Sequence, residues 1–488
     1  MSAFLTKALF MGGLQCHKQL WLQVNAPHRS LPPTPAQQRI IDQGEQVGAY
    51  ARQQFPNGQL IQGSGEAAVL ATQTAIATGI SCLFEATFCF EDILVRCDIL
   101  QKVSAIAWEL IEVKSSRAVK DEHYWDVAIQ KYVLTGAGIP IAATKLMYIN
   151  NQSCYYPDLS NLFAVEEITE MVDARLEEVA QKLHQFRAIL AEPLEPVLAI
   201  GKHCETPNPC PFTADCWQSV PELSIFTIPR LDWKKKEALI AQELLAIADL
   251  PPTYKLTDNQ QAYVESIRTH QPSIDPGAIA AKLAELDYPI HFLDFETQNP
   301  AIPRCTGLKP YESFPFQYSC HILHDSDTID HRDYLHIDGF DPRPSLIAAL
   351  VRDIATTGSV VVYHKSFEAS VLQKLARDFP EFASQLQSIC DRLWDLEEIF
   401  KKHYQHPGFR GSTSIKKVLP VLVPHLNYQS LAVYQGDQAQ AVWEELLNCP
   451  DETQKTILID NLRAYCHMDT LAMVEIYQVL RSIGYGVL

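Results

Sequence analysis

The chain has 488 residues, of which 47% are hydrophobic and 20% charged, and a formal net charge of −18. Its length suits roughly two to four domains with cores of their own, and its sequence holds no apolar run of the roughly 20 residues that span a bilayer. The negative balance excludes a protein held on nucleic acid by bulk charge alone. It leaves room for an enzyme that grips phosphates locally and gathers cations with clustered carboxylates.

Residues 1–24 read as a short helix carrying Cys16 and Trp21. The apolar stretch 4–16 is interrupted by Lys7 and lacks a small-x-small cleavage site, so it does not read as a signal peptide. A reducing, cytoplasmic setting is expected, in which the 13 cysteines are thiols or metal ligands rather than a disulfide frame. After a proline-rich loop at 31–35, residues 37–55 read as a helix bearing Glu45, and Asn57-Gly58 as a turn. Three strand-like runs follow at 82–90, 93–103 and 105–113, then a helix at 120–134, a strand at 142–149 and a helical stretch at 166–190. A mostly helical connector is expected over 221–288, with the short basic run Lys234-Lys235-Lys236 as a solvated face. A second α/β unit opens with the strand 289–297. Further strands are expected at 316–323, 331–337 and 359–363, a helix near 344–354, and a long helix over 452–480.

Three clusters carry chemistry. Cys204, Cys210 and Cys216 recur at Cys-x5-Cys-x5-Cys spacing, and three thiolates seldom complete a metal site, so Cys16 is the best fourth ligand. His17 and His203 flank these cysteines and read as neighbours rather than ligands. Glu112 and Lys114, two apart on a strand, share a face, and Asp98 on the neighbouring strand completes a group of two carboxylates and an ammonium. Two carboxylates suit a hard cation such as Mg2+, which polarises a phosphodiester and acidifies a bound water. The bland alternative is an exposed salt bridge. In the C-terminal half, Asp294 and Glu296 alternate on one strand, Glu368 follows a strand end, and Tyr465 and Asp469 lie four apart on one helical face. Four carboxylates from three segments suit two-metal phosphoryl chemistry, with the tyrosine hydroxyl orienting the attacking water. Surface acids on a structural α/β domain are the alternative.

The order Asp98, Glu112-x-Lys114 in a helix–strand–strand–strand–helix–strand frame resembles the PD-(D/E)xK nucleases. With one early and three late cysteines, it is similar to their iron–sulfur branch of RecB-like and CRISPR-associated nucleases. That resemblance implies a 4Fe–4S cluster on Cys16, Cys204, Cys210 and Cys216, with a four-cysteine zinc site as the alternative for the same thiolates. It also implies a metal-binding role for Glu45 and a catalytic role for Gln130. The chain departs from the branch in its two five-residue cysteine gaps, and in Tyr132 standing two residues after Gln130 rather than four.

The C-terminal set resembles the DEDD exonucleases of the ribonuclease H-like fold, in the subtype with tyrosine in the last motif. Here His364, Phe367 and Glu368 replace the usual asparagine-led aspartate motif, with Glu368 as the third acid and Asp395 a weaker alternative to it. The half that contains FLDFET and RGSTSIKKVLPVLVP (410–424) also resembles a bacterial family of unknown function fused to RecB-like nuclease domains.

The expected architecture is therefore α/β. A PD-(D/E)xK restriction-endonuclease-like core with a four-cysteine staple occupies 1–220, a helical connector 221–288, and a ribonuclease H-like exonuclease domain 289–488. The expected activity is Mg2+- or Mn2+-dependent hydrolysis of nucleic acid at two separate sites, with DNA as the expected substrate, in repair or defence, and no membrane partner. A nucleic-acid-binding adaptor with one or both sites degenerate is the alternative. A zinc-stapled scaffold is a third reading.

Overall fold

The computed structural model describes residues 4–325 and 328–486. Two compact units result, and the chain is mixed α/β throughout. The first unit holds the chain up to Ser219 together with Pro300–Arg304 and Leu308–Tyr311, and the second holds the remainder.

The first unit is built on a seven-stranded sheet. Its strands are β1 (Leu5–Thr6), β2 (Gln59–Leu60), β3 (Cys82–Phe90), β4 (Ile93–Lys102), β5 (Trp108–Lys114), β6 (Ile141–Ile149) and β7 (Phe163–Glu167), in the order β2-β3-β4-β5-β6-β7 with β1 beside β4. β3, β4 and β5 form an antiparallel meander, and β5 joins β6 in parallel through the helix Asp121–Gly136. The crossover helix is required because parallel neighbours cannot be joined by a hairpin. Its apolar residues Val127, Ile129, Val133 and Leu134 are buried with Leu83, Leu100 and Leu110 of the sheet. β5 pairs with β4 over residues 99–102, and β1 pairs with the same strand at Ile93 and Leu94. The backbone between those two pairings carries Asp98.

Two expectations for this unit change. The helix expected over 1–24 is two helices, Lys7–Gln15 and His17–Asn25, broken at Cys16, whose backbone is extended (φ −159°, ψ 122°). Cys16 serves as the N-cap of the second helix, with its Sγ accepting from the Gln19 amide at 3.4 Å. The helical stretch expected over 166–190 begins as strand β7, which covers the edge of β6, and continues as helices Thr169–Asp173 and Leu176–Ala191. The helix Pro35–Arg52 starts with a full capping box between Thr34 and Gln37. Ala301 and Ile302 pack against a small core of Val47, Ile149 and Leu162, which is why the loop they belong to falls in this unit.

In the second unit β8 (Ser273–Ile274) lies outside the main sheet. β9 (Ile290–Gln298), β10 (Phe314–Leu323), β11 (Ile329–Leu335), β12 (Val360–Val362) and β13 (Leu393–Asp395) form a five-stranded sheet in the order β11-β10-β9-β12-β13, and β14 (Tyr404–Gln405) pairs with β8. β9, β10 and β11 are antiparallel, while β12 runs parallel to both β9 and β13. All three residues of β12 and all ten of β10 are buried, as expected of strands covered on both faces. The long helix Glu452–Tyr485 packs on β9 and β10. The segment 221–288 is less helical than expected. Short 3-10 turns and the helices Trp233–Ile240, Asp258–Thr269 and Pro276–Leu283 surround a small core of its own, including Ile225, Leu239, Ile247 and Tyr263. Among the described residues no helix is long and apolar enough to cross a membrane.

Candidate functional site

Alternation along β5 puts Glu112 and Lys114 on one face. Continuing the antiparallel register in which Ile99 opposes Ile111 sets Asp98 opposite Glu112. Asp98 Oδ2 accepts the Val113 amide at 2.7 Å. Lys114 Nζ donates to Glu112 Oε1 at 2.7 Å and also bonds Asp126. Gln130 Nε2 donates to Glu112 Oε2 at 2.8 Å and to Asp126 Oδ1 at 3.2 Å. Lys7, capped into its helix by Thr6, reaches Glu112 at 2.8 Å and Asp126 at 2.9 Å.

The structure thus brings Asp98, Glu112, Lys114 and Gln130 together and adds Lys7 and Asp126. Asp126 had a sequence signal, since it stands four residues before Gln130 on one helical face. Lys7 had none. Burial, then the negative charge of Glu112, pushes Asp98 up to about 7 against the pull of Lys7 and Lys114. Burial works against the charge of Asp126, but Lys7 and Lys114 outweigh it and hold that carboxyl below the usual range.

Glu45 is exposed and lines, with Asp98, Arg52 and Arg96, a cleft of about 590 Å³. Tyr132 is elsewhere: its ring packs on Phe90 and its hydroxyl faces Glu91 at 3.4 Å. It takes no part in the cluster, because two positions along a helix turn it well away from Gln130.

Cys16, Cys204, Cys210 and Cys216 line one small cavity, closed by Leu22, Ile200 and Phe212. Gln15 Nε2 fastens the N-terminal segment to the cysteine loop through the carbonyls of His203 (2.8 Å) and Asn208 (2.6 Å), and Arg29 pairs with Asp215. Burial, followed by weaker effects that include the other three thiols, pushes Cys210 up to about 11. Burial also raises Cys16 and Cys216. His17 packs edge-on against Phe186, whereas His203 lines the same cavity as the cysteines.

In the second unit Asp294 and Glu296 sit on one face of β9, opposite Ser319 and Gln317 of β10. Tyr465 and Asp469 descend from the long helix, and Glu368 lies in the first turn of the helix Lys365–Asp378 that follows β12. Glu296, Glu368, Asp469 and Tyr465 are all buried. Tyr428 donates to Asp469 Oδ1 at 2.7 Å, and Lys416 Nζ donates to the Tyr465 hydroxyl at 2.9 Å. Lys416 also lies over the rings of Tyr428 and Tyr465 at 5.3 and 5.0 Å.

Burial, then the charges of Asp469, Glu296 and Glu368, raises Asp294 well above the carboxylate range, with Lys416 opposing. Burial and Asp469 raise Glu296 likewise. Burial brings Asp469 up to about 6 against its bonds from the two tyrosines. Burial also brings Glu368 up to about 8, with Asp395 adding to the rise. Asp395 pairs with Val362 at the ends of β13 and β12, and its Oδ1 accepts the Glu397 amide at 3.0 Å. Lys416, Tyr428 and the buried thiol of Cys466, which converges on Asp294 and Glu296, were not singled out from sequence. Lys416 lies on the short helix Ile415–Leu422, Tyr428 in a 3-10 turn, and Cys466 on the long helix between Tyr465 and Asp469.

The donor sets fit cations. Glu368 Oε2 is buried without a hydrogen-bond partner, and the carboxylates around it hold one another's pKa values up. Mutual repulsion of this kind is relieved by a hard, oxygen-preferring ion. The cysteine cavity supplies four soft donors in apolar surroundings, the chemistry of zinc or an iron–sulfur cluster.

At this level the chain is a mixed α/β protein with two carboxylate clusters and a four-thiol pocket. Residues 291–414 match a family model described as a domain of unknown function, DUF2779. The chain is 31% identical over 207 residues to the uncharacterized protein MG366 homolog of Mycoplasma pneumoniae, covering 38% of this chain and 31% of that protein. It is 28% identical over 214 residues to the uncharacterized protein MG366 of Mycoplasma genitalium, covering 39% and 32%. The chain thus spans about a third of the length of these curated relatives. Among solved structures, the crystal structure of SSO0001 aligns with 44% of this chain and 86% of that chain at 14% identity, with a TM-score of 0.23, too low to carry an argument.

Proposed function

We propose that this protein is a divalent-cation-dependent nuclease with two chemically separate sites, acting on DNA. The observation that carries the reading is that Asp294 and Glu296 share one face of β9 with donor atoms within 4.8 Å of Cys466, on the helix that also carries Tyr465 and Asp469, with Lys416 bonded to Tyr465 and Glu368 buried without a partner in the first turn after β12. The five-stranded sheet, with three antiparallel strands followed by two parallel ones, supports a ribonuclease H-like assignment for the second unit. The meander, crossover helix and parallel strand that present Asp98, Glu112 and Lys114 support a PD-(D/E)xK assignment for the first.

The four carboxylates of the second unit would hold Mg2+ or Mn2+, and Asp98, Glu112 and Glu45 would do so in the first. Bound there, such ions neutralise phosphate charge and lower the pKa of a water. The protein's own groups do the positioning. Tyr465, fixed by Lys416, presents a hydroxyl to orient the attacking water, and Lys416 offers positive charge to a phosphate oxygen. In the first unit Lys114 stands between Glu112 and Asp126, placed to hold a water or stabilise charge on the departing oxygen. Arg52 and Arg96 in the adjoining cleft are placed to meet phosphates.

The four cysteines would carry a 4Fe–4S cluster as a staple within the first unit. The same four thiolates would hold a single zinc ion as the alternative occupant.

One observation favours the adaptor reading for the first site. Lys7 pairs with both Glu112 and Asp126 and so neutralises acids that a cation would use. The test is degradation of end-labelled single- and double-stranded DNA and RNA by anaerobically purified full chain. Cleavage of DNA that requires Mg2+ or Mn2+ is expected. No cleavage of any substrate with either ion would overturn the nuclease reading and leave the adaptor.

A further inference from the structure

A second kind of donor set lies beside the carboxylates of the second unit. His321 of β10 and His331 of β11 are directly paired across the antiparallel ladder, so their side chains share a face. His467 joins them from the long helix. One ring nitrogen from each lies within 4.8 Å of the other two. The ring centroids are 4.5 Å apart for His321 and His331, 4.7 Å for His321 and His467, and 4.5 Å for His331 and His467.

Imidazole nitrogens brought this close offer a converging set of ligands. Two buried hydroxyls stand behind them. Thr470 Oγ1 lies 2.8 Å from His321 Nδ1, Ser319 Oγ lies 2.9 Å from His331 Nε2, and the two hydroxyls are 2.7 Å from each other. In the tautomer in which the ring donates to its hydroxyl, the other ring nitrogen is a lone-pair donor. A histidine fixed through its second nitrogen is the usual arrangement around a bound metal. A stack of merely structural histidines has no need of converging nitrogens.

We infer that His321, His331 and His467 form a binding site for one borderline divalent cation such as Zn2+, distinct from the carboxylate site. Nitrogen donors select zinc, cobalt or nickel over magnesium, whereas the neighbouring carboxylates select the reverse. Three protein ligands leave a coordination position for water. The three residues belong to β10, β11 and the helix that carries Tyr465 and Asp469, so an occupied site ties that helix to the sheet two residues from Asp469. The inference stands on different residues from the nuclease reading and survives its failure.

The experiment is calorimetric titration of chelator-stripped full-length protein with Zn2+, in parent, His331→Gln and His467→Gln. His331 and His467 are only partly buried, and circular dichroism checks that each variant keeps the parent's fold. The cysteines are common to all three proteins, so the difference isolates the histidine site. Parent is expected to bind one more equivalent of Zn2+ than either variant, and excess Mg2+ should not displace it. Equal stoichiometry and affinity in all three proteins, or displacement by Mg2+, would overturn the inference. A readout on the parent alone covers a variant that misfolds. Zn2+ should protect His331 and His467 together from acylation by diethylpyrocarbonate, read by mass spectrometry, and unchanged labelling would count against the site.

Discussion

Lys7→Met tests how the first site is assembled. Lys7 makes ion pairs of 2.8 Å to Glu112 and 2.9 Å to Asp126, whose side chains are only 2% and 9% exposed. Removing one partner of a buried pair costs about 3–5 kcal/mol, because a charge is left behind. Lys114 remains bonded to both acids, and Lys7 is itself 26% exposed, so we expect about 2–3 kcal/mol here. For a unit of this size that corresponds to a Tm drop of about 4–12 °C.

The assay is urea and thermal unfolding in chelator, with Asp126→Asn and the double variant completing a cycle. The coupling between Lys7 and Asp126 should be about 1–3 kcal/mol. The pH dependence has a definite sign. Asp126 is held below its unfolded value of about 3.9, so its contribution is full above that pH and is lost as pH falls through the folded value. The gap between parent and Lys7→Met should therefore be complete at pH 7 and close progressively below about pH 4. A variant within about 0.5 kcal/mol of parent at pH 7, with no coupling to Asp126, would refute the argument.

Any one Cys→Ala change at Cys16, Cys204, Cys210 or Cys216 should abolish the broad visible absorbance expected of anaerobically purified protein and destabilise the first unit; stoichiometric zinc without iron would replace the cluster and keep the staple. Tyr465→Phe should slow cleavage by the second site less than Asp469→Ala does, since it loses a hydroxyl and keeps every carboxylate; equal losses would place Tyr465 among the indispensable groups. Glu368→Gln should remove most of that activity and Glu368→Asp should retain it. Parent-like cleavage by Glu368→Gln with loss in Asp395→Asn would move the third acid to the neighbouring strand.

Strand alternation made Asp98, Glu112 and Lys114 legible, and likewise Asp294 and Glu296, because a period of two fixes which residues share a face. Residues brought in by tertiary folding were not legible. Lys7 served in the sequence only as a break in an apolar stretch, yet β1 docks beside β4 and delivers it to a carboxylate 105 positions away. Lys416 and Tyr428 come from a turn and a short helix whose spacing matches no periodic pattern. The last two residues of β7, Glu166 and Glu167, were read as the start of a helix because the strand's five residues, three of them exposed, carry little apolar alternation. The break at Cys16 was missed because nothing local marks it; Cys16 caps the following helix and faces the other cysteines, a constraint set by residues nearly two hundred positions away.

The most direct test of the central claim compares the parent with Lys114→Ala, Asp294→Ala and the double variant on end-labelled DNA with Mn2+. The account predicts that each single variant loses one component of cleavage and keeps the other, and that the double variant cleaves nothing while keeping the parent's circular dichroism at the assay temperature and its binding of DNA. Undiminished cleavage by the double variant would contradict it.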